Sequence, residues 1–305
     1  MKNKDFVTLR DWPAEELEAM LALAGSIKEN PATYGETLHH KTLAMIFEKP
    51  SLRTRVSFDV GIQQLGGFSL SLNRDEIHLG RRETVSDVAR NLERMVQGIM
   101  VRTYSHAIVE ELAEASSVPV INGLTDFCHP CQALADYMTI KEMKGGIRDT
   151  RIGYIGDGNN VAHSLIYGAA RFGAHLCIAC PEGYEPDADV VRWARKHAES
   201  AEAGIEIVHD PFKAAQDADV LYTDVWTSMG SESEEAERKN VFAPFQVNDN
   251  VVKHAKSDYI FMHCLPAHRG EEVSASVIDS SHSVVFHQAE NRLHAQKAVM
   301  VTLMK

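Results

Sequence analysis

The segment Phe47–Arg55 combines side chains that bind anions: a lysine, two arginines, a serine and a threonine, at the start of a predicted helix. Ser51 suits the position before that helix, because its hydroxyl can accept a hydrogen bond from an amide two or three residues later. Lys49, Arg53 and Arg55 then lie at the positive end of the helix dipole, which costs about 0.3–1 kcal/mol per exposed charge. A bound dianion reverses that cost, since amides, hydroxyls and guanidinium groups all donate to phosphate oxygens. The segment indicates a phosphate site, the alternative being a helix start whose cations pair with nearby carboxylates.

A second polar segment, His129-Pro130-Cys131-Gln132, opens another predicted helix, and proline suits the first turn of a helix. The His129 side chain could donate to a carbonyl oxygen there, and the Gln132 carboxamide could reach an amide group. The alternative is a buried histidine that serves only the start of the helix.

Two further candidates directly follow predicted strands. Asp224 follows Val220–Thr223, and the segment His263-Cys264-Leu265-Pro266 follows Tyr259–Met262. Ligands of open α/β sheets bind outside the carboxyl ends of the strands, so both positions suit chemistry. A carboxylate beside a thiol can share a hydrogen bond with an incoming amine. The alternative for Cys264 is a small buried apolar side chain, which is how most free cysteines behave.

The elements that must position these residues alternate between short apolar runs and amphipathic stretches, which predicts an α/β fold with mostly parallel strands. A length of 305 residues predicts two domains, and Lys144-Gly145-Gly146, which ends a helix, places the boundary at 142–149. We expect two doubly wound domains, residues 1–145 and 146–288, each with a mainly parallel sheet flanked by helices and joined by interdomain helices, with a C-terminal helix over 289–305 that returns to the first domain. The predicted strands are Thr42–Phe47, Phe68–Leu72, Gly98–Arg102, Val118–Ile121, Arg151–Ile155, His175–Cys180, Ile205–Val208, Val220–Thr223, Tyr259–Met262 and Val284–Phe286. The predicted helices include Arg53–Leu65, Val85–Gln97, Ala162–Phe172, Asp187–Glu199 and Glu290–Met304.

Composition excludes several classes of protein. A net charge of −12 without a long run of lysine or arginine argues against a nucleic-acid partner. No apolar run approaches the about 18 residues of a membrane span, and the first ten residues lack the apolar core of a signal peptide. Five cysteines are an odd number, which argues against a disulfide framework. We therefore expect a soluble protein in a reducing cytoplasm.

Two patterns resemble cofactor-binding motifs but do not match their spacing or residue types. The pairs Cys128/Cys131 and Cys177/Cys180 are separated by far more than the about 12–20 residues usual in zinc fingers and ribbons. A glycine-rich turn after Arg151–Ile155 resembles a dinucleotide-binding loop, but Val161 replaces the third glycine of that motif. The sequence therefore predicts neither a metal nor a nicotinamide cofactor.

The segment Ser51-Leu52-Arg53-Thr54-Arg55 resembles the carbamoyl-phosphate signature Ser-x-Arg-Thr-Arg of the aspartate/ornithine carbamoyltransferase family. His129-Pro130-Cys131-Gln132 is similar to the family signature His-Pro-x-Gln. His263-Cys264-Leu265-Pro266 and Ser228-Met229-Gly230 resemble the members that use ornithine rather than aspartate. The resemblance covers nearly the whole chain, with five signatures in the order that the family has.

The resemblance implies transfer of a carbamoyl group from carbamoyl phosphate to the δ-amino group of L-ornithine, giving L-citrulline and phosphate, in arginine biosynthesis or in the reverse direction. It implies no cofactor and a homo-oligomer, a trimer or a multiple of it. It assigns residues 1–145 to carbamoyl phosphate and 146–288 to ornithine. The open alternatives are another amine acceptor such as putrescine, aspartate or an acylated ornithine, a catalytically silent paralogue that acts as a binding subunit, and a dehydrogenase.

The resemblance also implies roles for individual residues. The implied catalytic residues are Asp224, Cys264, Arg102 and His129. The implied ligands of carbamoyl phosphate are Ser51, Leu52, Arg53, Thr54, His78, Arg102, His129, Pro130, Cys131, Gln132, Cys264, Leu265 and Arg292. The implied ligands of ornithine are Asn160, Asp224, Ser228 and Met229. His78 departs from the pattern, because many family members have glutamine there, in a loop that reaches into a neighbouring subunit's site. The loop at 231–237 beside Ser228 is a hypothetical cover for the second substrate.

Overall fold

A computed structural model of the chain describes residues 5–77, 79–198, 203–227 and 234–305. The chain forms two compact units. Unit 1 consists of Met1–Met138 and Glu290–Lys305, and unit 2 consists of Thr139–Ala289. Each unit has a parallel sheet with helices along it, so the predicted α/β class with parallel sheets is confirmed.

The strands within the described residues are β1 (Thr42–Phe47), β2 (Phe68–Asn73), β3 (Gly98–Arg102), β4 (Val120–Leu124), β5 (Arg151–Ile155), β6 (His175–Ala179), β7 (Ile205–Val208), β8 (Val220–Thr223) and β9 (Ile260–His263). The α-helices in the same part of the chain are α1 (Ala14–Glu29), α2 (Leu52–Gln64), α3 (Arg74–Ile77), α4 (Val85–Leu92), α5 (His106–Ala115), α6 (Pro130–Lys144), α7 (Asn160–Phe172), α8 (Ala188–Ala198), α9 (Pro211–Ala215), α10 (Glu235–Phe242), α11 (Asp249–Val252), α12 (Ala275–Ile278) and α13 (Val285–Met304). The division between the units falls inside α6 and inside α13.

The sheet of unit 1 has the strand order β2-β1-β3-β4. All of its neighbours are parallel, and Phe47 at the end of β1 is paired with Arg102 at the end of β3. Strands β3 and β4 are buried along their whole length, as continuous apolar runs are when helices cover both faces of a parallel sheet. The chain leaves β1 toward β2 on one side and β3 lies on the other, so the strand order reverses between β1 and β3.

The sheet of unit 2 has the strand order β7-β6-β5-β8-β9 and is parallel throughout. A core of apolar side chains from the sheet and the helices α9, α11 and α12 packs along it, with Leu221 and Phe261 fully buried. The order reverses between β5 and β8. In each unit, therefore, the loops that follow the two strands beside the reversal are where an open α/β sheet binds its ligands.

A close approach of α2 and α13 within unit 1 depends on Gly61. A Cβ atom at Gly61 would lie 3.0 Å from the terminal methyl of Met300, 3.5 Å from Cγ of Lys297 and 3.6 Å from Cδ1 of Leu293. The missing side chain therefore lets α13 lie directly on α2. This contact places Arg292, on α13, beside the first turn of α2.

The structure differs from the sequence predictions at several boundaries. The strand predicted at Val284–Phe286 is wrong, because the chain makes a single parallel bridge at Ser283 with Phe261 and then enters α13 at Val285. The helix predicted over Val85–Gln97 ends at Leu92, because the next turn closes on itself with three-residue bonds, from the amide of Arg94 to the carbonyl of Asn91 and from the amide of Met95 to that of Leu92.

Other boundaries agree better. The strand predicted from Val118 begins at Val120, since Pro119 has no N–H to donate to a neighbouring strand. Five strands have the predicted bounds: Thr42–Phe47, Gly98–Arg102, Arg151–Ile155, Ile205–Val208 and Val220–Thr223. In the described part of the chain, no helix combines the length and the apolarity that crossing a membrane requires.

We predict that Gly61→Val destabilises the protein by about 1–3 kcal/mol, because the added methyl groups overpack the contact between α2 and α13. Gly25→Val is the matched control: Gly25 also lies inside a helix, and its added Cβ would meet no atom within 4 Å. Thermal unfolding of the two variants measures the difference. Equal melting temperatures would show that the approach of α2 to α13 is not close-packed.

Candidate active site

The phosphate-site candidate of unit 1 begins at the loop between β1 and α2. Ser51 is the N-cap of α2, and its Oγ accepts a hydrogen bond from the amide of Thr54 at 3.2 Å, so the predicted cap is confirmed. Leu52 opens the helix with 75% of its surface exposed. The first turn of α2 thus begins at the strand-order reversal of the sheet, with its amides at the positive end of the helix dipole.

Two arginines converge on the buried hydroxyl of Thr54. Nη1 of Arg102, at the end of β3, lies 3.4 Å from Thr54 Oγ1, and Nη2 of Arg292, on α13, lies 2.8 Å from the same oxygen. Arg102 and Arg292 are 5% and 3% exposed. A strand end, a helix start and a helix from the far end of the chain therefore meet at one oxygen atom.

The lowered pKa of His129 indicates a positive electrostatic potential near Thr54 and its two arginines. Its pKa is held well below the usual value of 6.5, first by burial and then by the positive charges of Arg292, Arg102 and Arg53. The imidazole is neutral at physiological pH as a result, and it keeps one N–H that can donate. The potential around His129 is positive, which suits an anionic ligand.

Helix α6 begins at Pro130 as predicted, and the two residues that follow have different environments. The thiol of Cys131 donates to the carbonyl of Asn122 in β4 at 3.4 Å, and burial raises its pKa to about 12. Cys131 therefore behaves as a small inert side chain. Gln132 donates from Nε2 to Oδ1 of Asp136 at 2.8 Å.

Two of the three cations that the sequence placed at the helix start are used elsewhere. Lys49 is buried, pairs with Asp126 and lies 4.0 Å from the centre of the Tyr104 ring. Arg55 donates to the side chains of Ser71 and Asn73 in β2. The alternative of cations paired with carboxylates therefore holds for Lys49, whereas Arg55 binds neutral side chains of β2. Arg53 is the one of the three whose positive charge lowers the pKa of His129.

In unit 2, Asp224 collects donors from the ends of three neighbouring strands. Its Oδ1 accepts from the thiol of Cys264 at 3.0 Å and from the amide of Val225 at 2.8 Å, and its Oδ2 accepts from Nδ2 of Asn159 at 2.9 Å. Asn159, Asp224 and Cys264 follow β5, β8 and β9 respectively, at the strand-order reversal of this sheet. The predicted pairing of Asp224 with Cys264 is confirmed in the geometry.

Asn159 was missed by the sequence analysis, which selected its neighbour Asn160. Asn159 is the N-cap of α7: its Oδ1 accepts from the amides of Val161 and Ala162, and its Nδ2 is thereby directed to Asp224. The signal was present, because asparagine between a strand and a helix is a preferred N-cap. Asn160 is the first residue of α7, and its role in ornithine binding stays a prediction.

The glycines before Asn159, which resembled a dinucleotide-binding loop, serve close packing instead. A Cβ atom at Gly158 would lie 2.2 Å from the backbone nitrogen of Pro186. Backbone cannot yield as a flexible side chain can, so only glycine fits there.

The turn that carries Cys264 is held by a buried pair that the sequence analysis also missed. Nδ1 of His263 accepts from the amide of Leu265 at 2.8 Å, so the ring proton lies on Nε2, which donates to Glu272 at 3.2 Å. Burial raises the pKa of Glu272, but hydrogen bonds from His263 and from the amide of His268 more than offset it and leave the pKa lowered. The pair holds Leu265 at φ 60°, a left-handed conformation unusual for leucine.

A second missed pair lies beside Asp224. Asp157 accepts from Nη1 of Arg238 at 2.8 Å, and Arg238 also donates to Glu234 at 2.9 Å and to the carbonyl of Trp226 at 3.0 Å. Burial raises the pKa of Asp157 to about 6 against the opposing effect of Arg238. Arg238 therefore links Asp157, Trp226 and Glu234. Ser228 and Met229, like His78, lie outside the described residues, as do residues 231–233 of the loop at 231–237.

Two groups of described residues bring together side chains that can ligate a metal ion: Asp224, His263 and Cys264, and separately His268, Glu271 and Glu272. In the first group, Asp224 and His263 already accept the hydrogen bonds given above, so an ion there would have to displace them. The cysteine pairs considered as zinc sites contribute to neither group, and burial raises the pKa of Cys177 and Cys180 to about 12.

Two family models together match most of the chain. The carbamoyl-phosphate-binding domain of aspartate/ornithine carbamoyltransferase matches residues 4–142, and the Asp/Orn-binding domain of the same family matches residues 148–303. The ornithine carbamoyltransferase of Thermococcus kodakarensis is 58% identical over 306 residues, which covers 100% of this chain and 97% of that protein.

Solved structures agree with the family models. The structure of ornithine carbamoyltransferase from Pyrococcus furiosus has a TM-score of 0.96 at 56% identity and covers 99% of this chain and 97% of that one. The anabolic ornithine carbamoyltransferase from Campylobacter jejuni has a TM-score of 0.94 at 40% identity, covering 99% of each chain.

We predict that His129→Gln reduces the loss of stability on acidification by about 1 kcal/mol between pH 7.5 and 5.5. His129 stays neutral in the folded protein, whereas in the unfolded chain it titrates near 6.5. The unfolded state therefore binds more protons below pH 6.5, and stability falls as the pH falls through that value. Denaturant unfolding at the two pH values measures the difference, with the exposed His39→Gln as control. An equal loss in wild type and in His129→Gln would contradict a neutral buried imidazole.

Proposed function

The chain belongs to the aspartate/ornithine carbamoyltransferase family, and from that premise we propose that it transfers the carbamoyl group of carbamoyl phosphate to the δ-amino group of L-ornithine. The products are L-citrulline and phosphate. The resemblance inferred from the short motifs is confirmed by matches over the whole chain. In the direction of citrulline the reaction serves arginine biosynthesis, and the word anabolic in the name of the Campylobacter jejuni relative supports that direction.

The observation that carries the choice of acceptor is the buried Asp224 carboxylate with the Cys264 thiol at 3.0 Å. A carboxylate attracts a cationic amine chain and repels a second carboxylate. This favours ornithine, which ends in an amine, over aspartate, which ends in an acid. Asp224 and Cys264, which follow β8 and β9, therefore support ornithine rather than aspartate as the acceptor.

Unit 1 supplies the phosphate and carbonyl contacts. We assign the departing phosphate to Ser51, Arg53, Thr54 and Arg102, supported by the amides at the start of α2 and by the positive potential at His129. Arg102, Thr54 and the neutral His129 donate to the carbonyl oxygen as negative charge develops on it. Donors fixed before the reaction in a buried site are worth about 10²–10³ in rate for each one removed.

The remaining assignments to carbamoyl phosphate are proposals of the same kind. They comprise Leu52, His78, Pro130, Cys131, Gln132, Cys264, Leu265 and Arg292. For Cys131 the inert thiol limits any contact to the backbone, since its Sγ is occupied with Asn122.

Unit 2 supplies the contacts to the amine. The δ-amine resembles the amine of lysine, with a pKa of about 10.4, so it must lose a proton before it attacks. Asp224 orients the amine and accepts a hydrogen bond from it, while Cys264 and Asn159 hold the carboxylate in place. The neutral amine nitrogen, whose first proton has gone to solvent, then bonds to the carbonyl carbon while the bond from that carbon to the phosphate oxygen breaks. Phosphate leaves with the electron pair of that bond and takes up the second proton that the nitrogen releases. We assign the α-amino and carboxylate groups to Asn160, Ser228 and Met229.

No cofactor enters this scheme, because the mixed anhydride of carbamoyl phosphate is already activated. All five cysteines are free thiols, which supports our proposal that the protein works in a reducing compartment, the cytoplasm.

We further propose that the protein is a homo-oligomer, a trimer or a multiple of it. Unit 1 exposes a patch of large apolar side chains on α2 and on the edge strand β2, consisting of Leu52, Val56, Phe68 and Leu70. Exposed apolar side chains on elements that pack together, as α2 and β2 do, mark interaction surfaces. Leu52 directly precedes Arg53 in the first turn of α2, so a partner on this patch would lie beside the proposed phosphate site.

The acceptor test of the proposed function measures phosphate release from carbamoyl phosphate with ornithine, putrescine, aspartate and N-acetylornithine offered separately. We expect turnover with ornithine alone, and expect Asp224→Asn to lose that turnover while it keeps carbamoyl-phosphate binding. Turnover with another acceptor would contradict the amino-acid pocket. Absence of turnover with every acceptor would identify a silent paralogue.

We predict that Phe68→Asp shifts the protein to smaller species in sedimentation equilibrium. Phe68 is 61% exposed, and the substitution puts a charge into the apolar patch. Phe286→Asp is the matched control, since Phe286 is 78% exposed and lies in unit 2. Unchanged mass in Phe68→Asp would exclude the patch as an interface.

A further inference from the structure

Asp136 fixes the orientation of the Gln132 carboxamide. The two residues lie one turn apart on α6, within unit 1, and both are buried, at 0% and 1% exposure. Gln132 Nε2 donates to Asp136 Oδ1 at 2.8 Å. An ionised carboxylate offers acceptors only, so it selects the orientation in which the amide nitrogen faces it. The charge of Asp136 is felt by the next residue, Tyr137, whose pKa is raised by burial and by that charge.

The carboxamide oxygen of Gln132 therefore points away from Asp136. This Oε1 is buried and accepts no hydrogen bond from the described residues. A buried oxygen that accepts no hydrogen bond costs free energy, and a ligand whose N–H group donates to it removes that cost. Gln132 lies in the first turn of α6, three residues after His129, which directly precedes that helix. The positive potential around His129 suits an anionic ligand there.

The chemistry of the donor substrate supplies such a group. Carbamoyl phosphate carries an –NH2 on its carbonyl carbon, whereas acetyl phosphate carries a methyl group there and is otherwise similar. Contacts to the phosphate and to the carbonyl oxygen cannot tell the two apart. An acceptor fixed beside the third substituent can, because the methyl group leaves it unpaired.

We propose that Asp136 is a positioning residue: it holds Gln132 so that Oε1 accepts from the amide of the substrate and the protein prefers carbamoyl phosphate to acetyl phosphate. This inference rests on the proposed function. A flipped Gln132 would present its own NH2 to the substrate NH2, two donors face to face. The competing interpretation is a structural pair at i and i+4, of the kind that stabilises helices without any ligand.

The test measures the dissociation constants of carbamoyl phosphate and acetyl phosphate by calorimetry, without ornithine. The preference ratio is the dissociation constant of acetyl phosphate divided by that of carbamoyl phosphate. Asp136→Asn keeps an acceptor oxygen but permits both orientations of Gln132, so this ratio should fall about twofold. Asp136→Leu removes the anchor, and ordering Gln132 on binding should bring the fall to about tenfold. Acetyl-phosphate affinity should stay unchanged in both variants. Glu142→Gln, an exposed acid-to-amide change on the same helix, is the matched control and should keep the wild-type ratio.

A double-mutant comparison separates positioning from a structural role. In a Gln132→Met background, both Asp136 substitutions should leave the ratio unchanged, because the group through which Asp136 acts is gone. A ratio change that persists there would overturn the inference, as would equal weakening of both ligands in the single variants.

The Gln132→Met variant alone keeps the inference open to refutation if the Asp136 variants do not fold. It should lower the ratio, and a wild-type ratio in this variant overturns the inference. Wild-type protein that binds both phosphates equally overturns the inference but leaves the acceptor test of the function intact. Wild-type protein that binds neither overturns the proposed function itself.

Discussion

The constraint on which unit 1 depends is the burial of two guanidinium groups against one hydroxyl. Arg102 and Arg292 both reach Thr54 Oγ1, and charges taken out of water are costly unless they are well placed for a partner. Several features of the fold follow from this requirement. The pairing of β1 with β3 sets Arg102 beside the end of β1, the Ser51 cap starts α2 at that end, and Gly61 lets α13 come close enough to deliver Arg292. Burial first, and then the resulting positive potential, lower the pKa of His129 and keep its imidazole neutral.

Unit 2 buries a charge of the opposite sign, also at the strand-order reversal of a parallel sheet. Its buried charge is the carboxylate of Asp224, held by donors that follow three adjacent strands. Behind it, His263 and Glu272 fix the turn that carries Cys264, and Arg238 holds Asp157. A positive pocket suits the phosphate and the developing oxyanion, and a negative one suits an amine. Each unit therefore presents a charge of opposite sign to that of its substrate group. In each unit this charge lies where the strand order reverses.

The sequence predicted the parts of this arrangement that are encoded locally. Continuous apolar runs gave five strands with their observed bounds. Ser51 was selected as the cap of a helix, and Asp224 and Cys264 were selected because their segments directly follow strands. Residues whose roles depend on contacts distant in sequence were not found from local pattern alone. Asn159 and Asn160 are indistinguishable until the N-cap is assigned, and Arg238, Glu272 and Asp136 are ordinary surface-type residues in the sequence. Arg55 and Lys49 looked like phosphate ligands because nothing in the local sequence reveals Ser71 or Asp126 as their partners. Arg292 and Thr54 were identified through family resemblance, and their contact emerged from the packing of α13 on α2.

The most direct test of this account is the turnover number of Arg102→Gln with saturating carbamoyl phosphate and ornithine, compared with Arg55→Gln. Both changes remove one guanidinium near the start of α2, but Arg55 is bound to β2 rather than to Thr54. We expect the turnover number to fall by about 10²–10³ in Arg102→Gln, the size expected when one donor to a developing oxyanion is lost, and to change little in Arg55→Gln. Near-normal turnover in folded Arg102→Gln, or an equal loss in both variants, would contradict it.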